Sequence, residues 1–420
     1  MLKFLKWFFG LFSQYVSPFE KKVDKFFKYI RSTDSLAAIR DKLLELMQEN
    51  LIVVNVWLER KFKGYFYLSK GVRRQMYADV QIIVARLNEF CTATPIKVED
   101  LRLLFQKSGW EFPNGDDQKL VYLYQIMRYL QPGVHYHYIK TASFGKLLKN
   151  PDKEQLEGDC NQIVTLYIYL YSLKFPLDDL KIKLLPEHVC LHFREIDIEC
   201  TNGTFQKYTE NREVLPVTEI ISTNLLDLLD FREDVQTITP EVMVKSSQLA
   251  YALSSLKTLV AKNLDIAYHN LAVVSMNAHK FDTAIYYFSL ANDQIQLTAV
   301  YRNAAIYYMQ QHDFKKAAFY ANKSGDTELT RSIKQNEGVE LYNKGQIDRA
   351  LEIFSFLGDE KMKKACYQKQ YNELVTKVAG VKTIEQAKSK KSIYQKMLSL
   401  AEKIGDDILE KSVKDTLSKI

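Results

Sequence analysis

Apolar residues recur at helical spacing over most of this chain and alternate strictly in only one stretch. Residues 17–90 show apolar positions three to four residues apart, a spacing that predicts helices. Residues 160–174 are apolar almost all round, which predicts a helix buried on every side. Residues 180–208 change to a period of two, which is typical of strands. The pattern therefore predicts an α+β region in which one buried helix leads into an antiparallel sheet.

Two segments in the first half are less distinctive. Residues 51–58 are apolar and β-branched, and periodicity leaves them open between a strand and the continuation of a buried helix. Residues 97–150 are predicted to form further helices, joined by turns at Gly109, at Pro113-Asn114-Gly115 and at Pro132-Gly133. Within this range, residues 135–137 are predicted to be a strand or a surface loop.

From about residue 245 the sequence is helical again and repeats itself. Segments that begin at Asn270, Asn303 and Asn336 lie 33 residues apart. In each, a small residue is followed by an alanine twelve positions later: the pairs are Ala272 and Ala284, Ala305 and Ala317, and Gly338 and Ala350. This is the tetratricopeptide pattern, one residue short of its usual length. Residues 245–420 are predicted to form an all-α solenoid that binds a protein or peptide partner, with capping helices in 371–420.

Composition and charge exclude several classes of function. Lys and Arg number 58 and Asp and Glu 51, a net charge of +7 with the two signs interspersed, so no nucleic-acid surface is expected. No glycine-rich phosphate loop, H-E-x-x-H motif or serine elbow occurs, and no cofactor is expected. The five cysteines are widely spaced and odd in number, which favours a reducing compartment and no disulfides. We therefore expect a cytoplasmic protein.

The N-terminal residues 1–16 are rich in aromatic and aliphatic side chains, and Lys3 and Lys6 lie among the first of these. No stretch is long and apolar enough for an ordinary transmembrane helix. Two interpretations remain: a helix that docks on the rest of the fold, and an interfacial helix that gives peripheral membrane contact.

Candidate chemistry is confined to the α+β region. Cys160 stands at the predicted start of the buried helix and follows Gly158 by two residues. A helix N-terminus carries a partial positive charge, and a cysteine must become a thiolate in order to attack. A histidine is then needed as base, and an acid must orient that histidine.

The alternating segment supplies both partners. If Arg194-Glu195 is a two-residue turn, His192 lies opposite Asp197, and His188 lies diagonal to Glu199 on the same face of the sheet. We therefore predict Cys160 as nucleophile, His188 as base and Glu199 as orienting acid, with Asp197 as the alternative acid. Asn161, Gln162 and Gln155 are weaker candidates for stabilising an oxyanion.

Other interpretations of these residues are simpler. A buried cysteine is usually inert packing, which is the interpretation that we favour for Cys190 and Cys200, and His192 is expected to be a structural strand histidine. A metal site formed by His188, Cys190 and His192 is a further alternative. Alternate strand residues lie about 6.5 Å apart, so the three side chains do not easily reach one ion, and no metal is predicted.

These motifs resemble the transglutaminase-like domain of bacterial SirB-type proteins, which carry C-terminal tetratricopeptide repeats. Residues 143–148 look like that family's segment before its sheet. Residues 185–188, Leu-Pro-Glu-His, resemble its Leu-Pro-Gly-His, and residues 199–203 resemble its Asp-Pro-Phe-Asn-Gly, which places Glu199 on the family's acid. The resemblance extends over about residues 85–360. This chain departs from it in having Glu in place of Asp, and a cysteine that SirB-type members often lack.

The resemblance implies a papain-like α+β core and acyl transfer from an amide. Together with the hydrophobic pattern, it predicts three regions: a helical N-terminal extension over 1–80, which the resemblance does not cover, a transglutaminase-like domain over 81–235, and tetratricopeptide-like repeats over 245–420. Two classes of function follow. One is a thiol enzyme, either a hydrolase (peptidase or amidase) or a cross-linking acyltransferase; the other is a scaffold whose thiol domain is inactive and whose repeats bind partners.

Overall fold

Helices dominate the chain, and a small antiparallel sheet interrupts them. The computed structural model describes residues 13–31, 33–209, 213–228 and 238–420. The chain divides into two units, Met1–Leu271 and Ala272–Ile420. Together, the helices and the antiparallel sheet confirm the α+β class.

In the described residues, the first unit contains eight whole α-helices, part of a ninth and all of the strands. Its helices are α1 (Pro18–Tyr29), α2 (Leu36–Lys61), α3 (Lys70–Ala93), α4 (Val98–Lys107), α5 (Asp117–Tyr129), α6 (Cys160–Ser172), α7 (Glu219–Leu226) and α8 (Pro240–Leu253), and α9 (Lys257–Asn277) contains the boundary between the units. Its strands are β1 (Tyr136–Tyr138), β2 (Leu156–Gly158), β3 (Leu180–Leu185), β4 (His188–Phe193), β5 (Ile196–Glu199), β6 (Thr204–Gln206) and β7 (Val214–Pro216).

Helix α6 is the centre of this unit, as its apolar sequence predicts. Every residue from Gln162 to Tyr171 is buried, and the helix packs against α2 and β4. Residues 51–58, in the second half of α2, are also buried. The structure makes this segment helical: Asn50 leaves the helical conformation (φ −169°, ψ 93°), and its side chain accepts a hydrogen bond from the N–H of Val53 at 3.0 Å. Asn50 thereby starts a new helical stretch.

The five-stranded sheet has the order β6-β5-β4-β3-β7 and is antiparallel throughout. β4 and β5 are joined at Arg194, whose φ is 56°, and His192 lies opposite Asp197. The predicted turn and register are therefore confirmed. A separate parallel pair, β1 with β2, brings Tyr138 opposite Gly158.

The second unit is a series of helix pairs. After α9 come α10 (Phe281–Leu290), α11 (Gln294–Gln310), α12 (Phe314–Ser324), α13 (Thr327–Asn343), α14 (Ile347–Leu357), α15 (Glu360–Val378), α16 (Ile384–Ser389), α17 (Lys391–Ile404) and α18 (Asp407–Leu417). The predicted period recurs in the turns. His279, His312 and Gly345 have positive φ, and so do Asn292, Gly325 and Gly358; each set is spaced by 33 residues.

The small residues of the repeat let paired helices approach closely. Ala284, Ala317 and Ala350 are fully buried. Gly338 has the least room: an added Cβ would lie 2.9 Å from two ring carbons of Phe354.

Other predicted segments differ from the structure or lie outside it. Residues 136–138 form β1, at a place predicted to be strand or loop, whereas residues 139–150, predicted as helix and turn, form an irregular loop. Helix α3 spans the predicted boundary at residue 80, and residues on both sides of it share one core. Most of the predicted N-terminal segment, residues 1–12, lies outside the described residues. Among the described helices, none is both long enough and apolar enough to span a membrane.

Candidate active site

Cys160 is the first residue of α6, where the sequence predicts the helix to begin. Asp159 caps the helix: its carboxylate accepts hydrogen bonds from the N–H groups of Asn161 (2.9 Å) and Gln162 (3.4 Å). Gln162 returns a bond by accepting from the N–H of Asp159 at 3.0 Å, which completes a capping box. The thiol therefore stands at the positive end of the helix dipole, in a residue that is 8% exposed.

The loop before Cys160 is held by tight packing. Gly158 ends β2, and an added Cβ would lie 3.3 Å from the Cβ of Gln162 and 3.5 Å from Leu147. The phenol of Tyr136 donates to the carbonyl of Gly158 at 2.8 Å. Gly158 is thus required for close approach rather than for a left-handed turn.

His188 begins β4, directly after a turn at Glu187, whose φ is 54°. Its Nε2 donates to Oε2 of Glu199 at 2.7 Å. A hydrogen bond with Cys160 and the one with Glu199 raise the pKa of His188 to about 10. Because Nε2 is engaged by Glu199, Nδ1 is the ring nitrogen left for the thiol. The structure therefore joins the predicted base to the predicted acid, and the thiol predicted as nucleophile lies close enough to His188 to raise its pKa.

Glu199 is buried, and both of its oxygens are occupied. Oε1 accepts from the N–H (3.1 Å) and the hydroxyl (2.5 Å) of Thr201, and Oε2 accepts from Tyr208 at 2.8 Å as well as from His188. Burial alone raises the pKa of Glu199, but the bonds from His188, Thr201 and Tyr208 outweigh it and hold this pKa below its ordinary value. Glu199 is therefore an ionised carboxylate in a fixed orientation.

Asp197, the alternative acid, belongs to a neighbouring cluster. Its carboxylate accepts from Nδ1 of His192 (2.7 Å), from Nζ of Lys183 (2.9 Å) and from the N–H of Tyr208 (2.8 Å). The structure does not bring Asp197 to His188. Burial raises the pKa of Asp197, but these donors more than offset it and lower the pKa overall. Glu199 is thus the acid that geometry favours, and Asp197 stabilises the sheet.

The other cysteines lack such partners. Burial is the main cause that raises the pKa of Cys190 to about 12, and burial also raises the pKa of Cys91, Cys200 and Cys366. All five cysteines are free thiols. The arrangement with an imidazole therefore distinguishes Cys160 from them.

The amides predicted to help at an oxyanion are engaged elsewhere. The side-chain amides of Asn161 and Gln162 donate to Asp227 at 3.2 and 3.3 Å, and Gln155 is exposed on the loop before β2. Burial, reinforced by the charge of Asp227, raises the pKa of Asp159 to about 7. The carboxyl groups of Asp159 and Asp227 therefore lie near each other at the start of α6.

Sequence reasoning missed Tyr208, which contacts both acids. Its position depends on the path of the chain after β6, and no spacing signal indicates it. Thr201 stands two residues after Glu199, so its proximity could have been inferred. Among the described residues, no group of three or more His, Cys, Asp or Glu side chains is placed to hold a metal ion.

Comparisons with protein-family models, with curated proteins and with solved structures found no match to this chain.

Proposed function

We propose that the chain is a cysteine-dependent enzyme that transfers acyl groups from amides, as a peptidase, an amidase or a transglutaminase-like enzyme. The observation that carries this proposal is the His188 ring, which is hydrogen-bonded to the buried carboxylate of Glu199 and lies close enough to the Cys160 thiol for that thiol to raise its pKa. We extend it to the fold: residues 81–235 form a transglutaminase-like, papain-like core of the SirB type. Residues 245–420 form tetratricopeptide-like repeats that bind a protein or peptide partner.

In the proposed reaction Cys160 is the nucleophile, His188 transfers the protons and Glu199 orients His188. His188 takes the thiol proton, and the Cys160 thiolate attacks the carbonyl carbon of an amide to form a tetrahedral oxyanion. The oxyanion collapses as the C–N bond breaks, and His188 gives its proton to the departing amine. Water or a second amine then attacks the thioester, again with His188 as base, and the thiol is restored. Glu199 keeps the imidazole oriented and stabilises its charged form throughout.

The pH dependence of Cys160 alkylation by iodoacetamide tests this proposal. An imidazolium stabilises a neighbouring thiolate, so we expect the wild-type protein to react almost equally fast at pH 6 and pH 8. Substitution His188→Ala should slow the reaction at pH 6 by about 100-fold, with a smaller loss at pH 9. The substitution His192→Ala is the matched control, because His192 contacts Asp197 instead.

The alternative is a scaffold without catalysis, and the burial of Cys160 at 8% exposure favours it. In that case Cys160 stays unreactive in the folded protein, or reacts at a rate indifferent to His188. Either result overturns the enzyme proposal and directs attention to the repeats.

A further inference from the structure

A cavity of about 410 Å³ lies in the first unit, between helix α3 and the loop that follows β1. Val72, Met76 and Asp79 line it from the helix, and their spacing of four and three residues places them on one helix face. The loop over 141–149 forms the other wall. The lining residues are distinct from the candidate catalytic residues. A cavity of this volume is typical of small-molecule sites.

The carboxylate of Asp79 is the unbalanced charge of this cavity. Asp79 is 7% exposed, and its Oδ1 accepts a hydrogen bond from Nε2 of Gln75 at 2.9 Å. Within the described part of the chain, Oδ2 has no hydrogen-bond partner, and the carboxylate has no ion pair with a basic side chain. Protein atoms do not fully enclose Oδ2, so this oxygen opens into the cavity. A buried carboxylate is costly unless it is paired.

The basic side chains of the cavity already have acidic partners. Nζ of Lys146 lies 3.9 Å from Glu157, and Nζ of Lys149 lies 3.6 Å from Glu154. Both lysines line the loop wall, where the glutamates balance their charges. Asp79 is left without such a balance, so the arrangement favours a ligand that carries one positive charge.

The loop wall is held by buried side chains and is formed before any ligand binds. The carbonyl of Ala142 accepts hydrogen bonds from Nζ of Lys63 at 2.6 Å and from the hydroxyl of Tyr65 at 3.2 Å. The N–H of Phe144 donates to Glu59 at 3.1 Å. A preformed wall lowers the entropy cost of binding, which favours a binding site over a gap in the packing.

We propose that this cavity binds a primary amine with an aliphatic chain, and that the ammonium group donates to Oδ2 of Asp79. An ammonium is a compact charge that one oxygen can accept, whereas a guanidinium binds a carboxylate best through both oxygens. Oδ1 is already engaged by Gln75, so the ammonium is the better match. The inference goes beyond the proposed function and does not depend on the chemistry of Cys160.

Apolar side chains set the form of the rest of the ligand. Met76 and Leu148 line the cavity and are buried, and Val72 lines it and is 39% exposed. Val72 precedes Asp79 by seven residues, which is about 10 Å along a helix. An unbranched chain that extends from the ammonium toward Val72 is therefore covered by apolar surface.

The test compares n-hexylamine, 1-hexanol and hexanoate, which share one chain and differ in the charge of the head group. Their binding to the whole chain is measured at pH 7 by saturation-transfer NMR titration. We expect n-hexylamine to bind at least about ten-fold more tightly than 1-hexanol, as a hydrogen bond between two charged groups implies. Hexanoate should bind most weakly, because Asp79 repels it.

Two variants separate the head group from the chain. Asp79→Asn keeps the size of the side chain and removes its charge, so the preference for n-hexylamine over 1-hexanol should fall to about one. Glu89→Gln, on the same helix but outside the cavity, is the matched control and should keep the preference. Val72→Trp fills the cavity from its exposed side and should weaken n-hexylamine and 1-hexanol alike, while Asp79 is unchanged.

Four results would overturn the inference. They are equal binding of n-hexylamine and 1-hexanol, tightest binding of hexanoate, no binding of n-hexylamine at millimolar concentration, and a preference that persists in Asp79→Asn. If Asp79→Asn fails to fold, as followed by circular dichroism, Val72→Trp decides: undiminished binding of n-hexylamine in that variant places the amine outside the cavity. The dependence of Cys160 alkylation on His188 is unaffected by any of these results, so the proposed function stands or falls separately.

Discussion

The two units of the chain bury different kinds of residue. In Met1–Leu271, charged side chains are buried in bonded sets, such as Glu199 with His188 and Asp197 with Lys183. In Ala272–Ile420, all of which is described, Ser275 is the single buried polar residue, and the other buried positions are apolar or glycine. A buried charge is costly unless it is paired. The first unit buries paired charges both in its sheet, where we place the chemistry, and among its helices, as with Arg73 and Glu20, whereas the buried positions of the repeats serve packing.

The largest effect is expected from a substitution that removes one charge from the buried hydrogen-bonded residues of the first unit. Glu199→Gln keeps the size of the side chain but removes the charge that supports the His188 imidazolium. We expect the rate of Cys160 alkylation at pH 6 to fall by about 100-fold. Asp197→Asn is the matched control on the same sheet face and should change this rate by less than about three-fold. The reverse order of effects would make Asp197 the orienting acid.

The next largest effect is expected from a substitution that disrupts helix packing in the second unit. Gly338→Ala places a Cβ within 2.9 Å of the buried Phe354 ring, and overpacking of this kind costs about 1–3 kcal/mol. Urea unfolding followed by far-UV circular dichroism should show an earlier helical transition. Tryptophan fluorescence should be unchanged, because Trp7, Trp57 and Trp110 all belong to the first unit.

A control in the same unit separates overpacking from a general effect of alanine. An added Cβ at Gly380 meets nothing within 4 Å, so Gly380→Ala should leave both transitions in place. A loss of Cys160 reactivity in Gly338→Ala would show that the two units are not energetically separate.

A smaller effect is expected when the Tyr208 hydroxyl, which donates to Glu199, is removed. Tyr208→Phe deletes the donor to Oε2 of Glu199 and keeps the backbone N–H on Asp197. The pKa of Glu199 should rise. The pH below which alkylation of Cys160 becomes slower should therefore increase by about 0.5–1 unit. Tyr122→Phe, whose hydroxyl donates to the carbonyl of Leu170, should leave the profile where it is.

A last expected effect concerns the dependence of stability on pH. The pKa of His188 is raised from 6.5 to about 10 in the folded protein, so its contribution is fully present below about pH 6.5 and is lost as the pH rises through about 10. The difference in unfolding free energy between wild type and His188→Gln, followed by tryptophan fluorescence, should therefore shrink between pH 6.5 and 10. A constant difference over this range would contradict the raised pKa.

Local patterns predicted more of the second unit than of the first. The 33-residue period recurs in the positive-φ turn residues, because each repeat is stabilised by contacts between neighbouring helices. In the first unit the start of α6 at Cys160 and the pairing of His192 with Asp197 were also predictable, since a cap and a two-residue turn are local features. At Tyr136–Tyr138 the sequence left strand and loop open, and it did not indicate the partner strand, which lies twenty residues later.

The sequence by itself determined the helical repeats, the buried helix that begins at Cys160, and the hairpin that carries His188 and Glu199. Each follows from spacing within a few turns or strand residues. Only the tertiary structure decided that His188 forms its hydrogen bond with Glu199 rather than with Asp197. It also decided that Tyr208 donates hydrogen bonds to both acids and that Asn161 donates one to Asp227. The contact with Asp227 joins elements distant in sequence, and in all three cases burial decides which charged groups must find a partner; neither can be inferred from the order of residues alone.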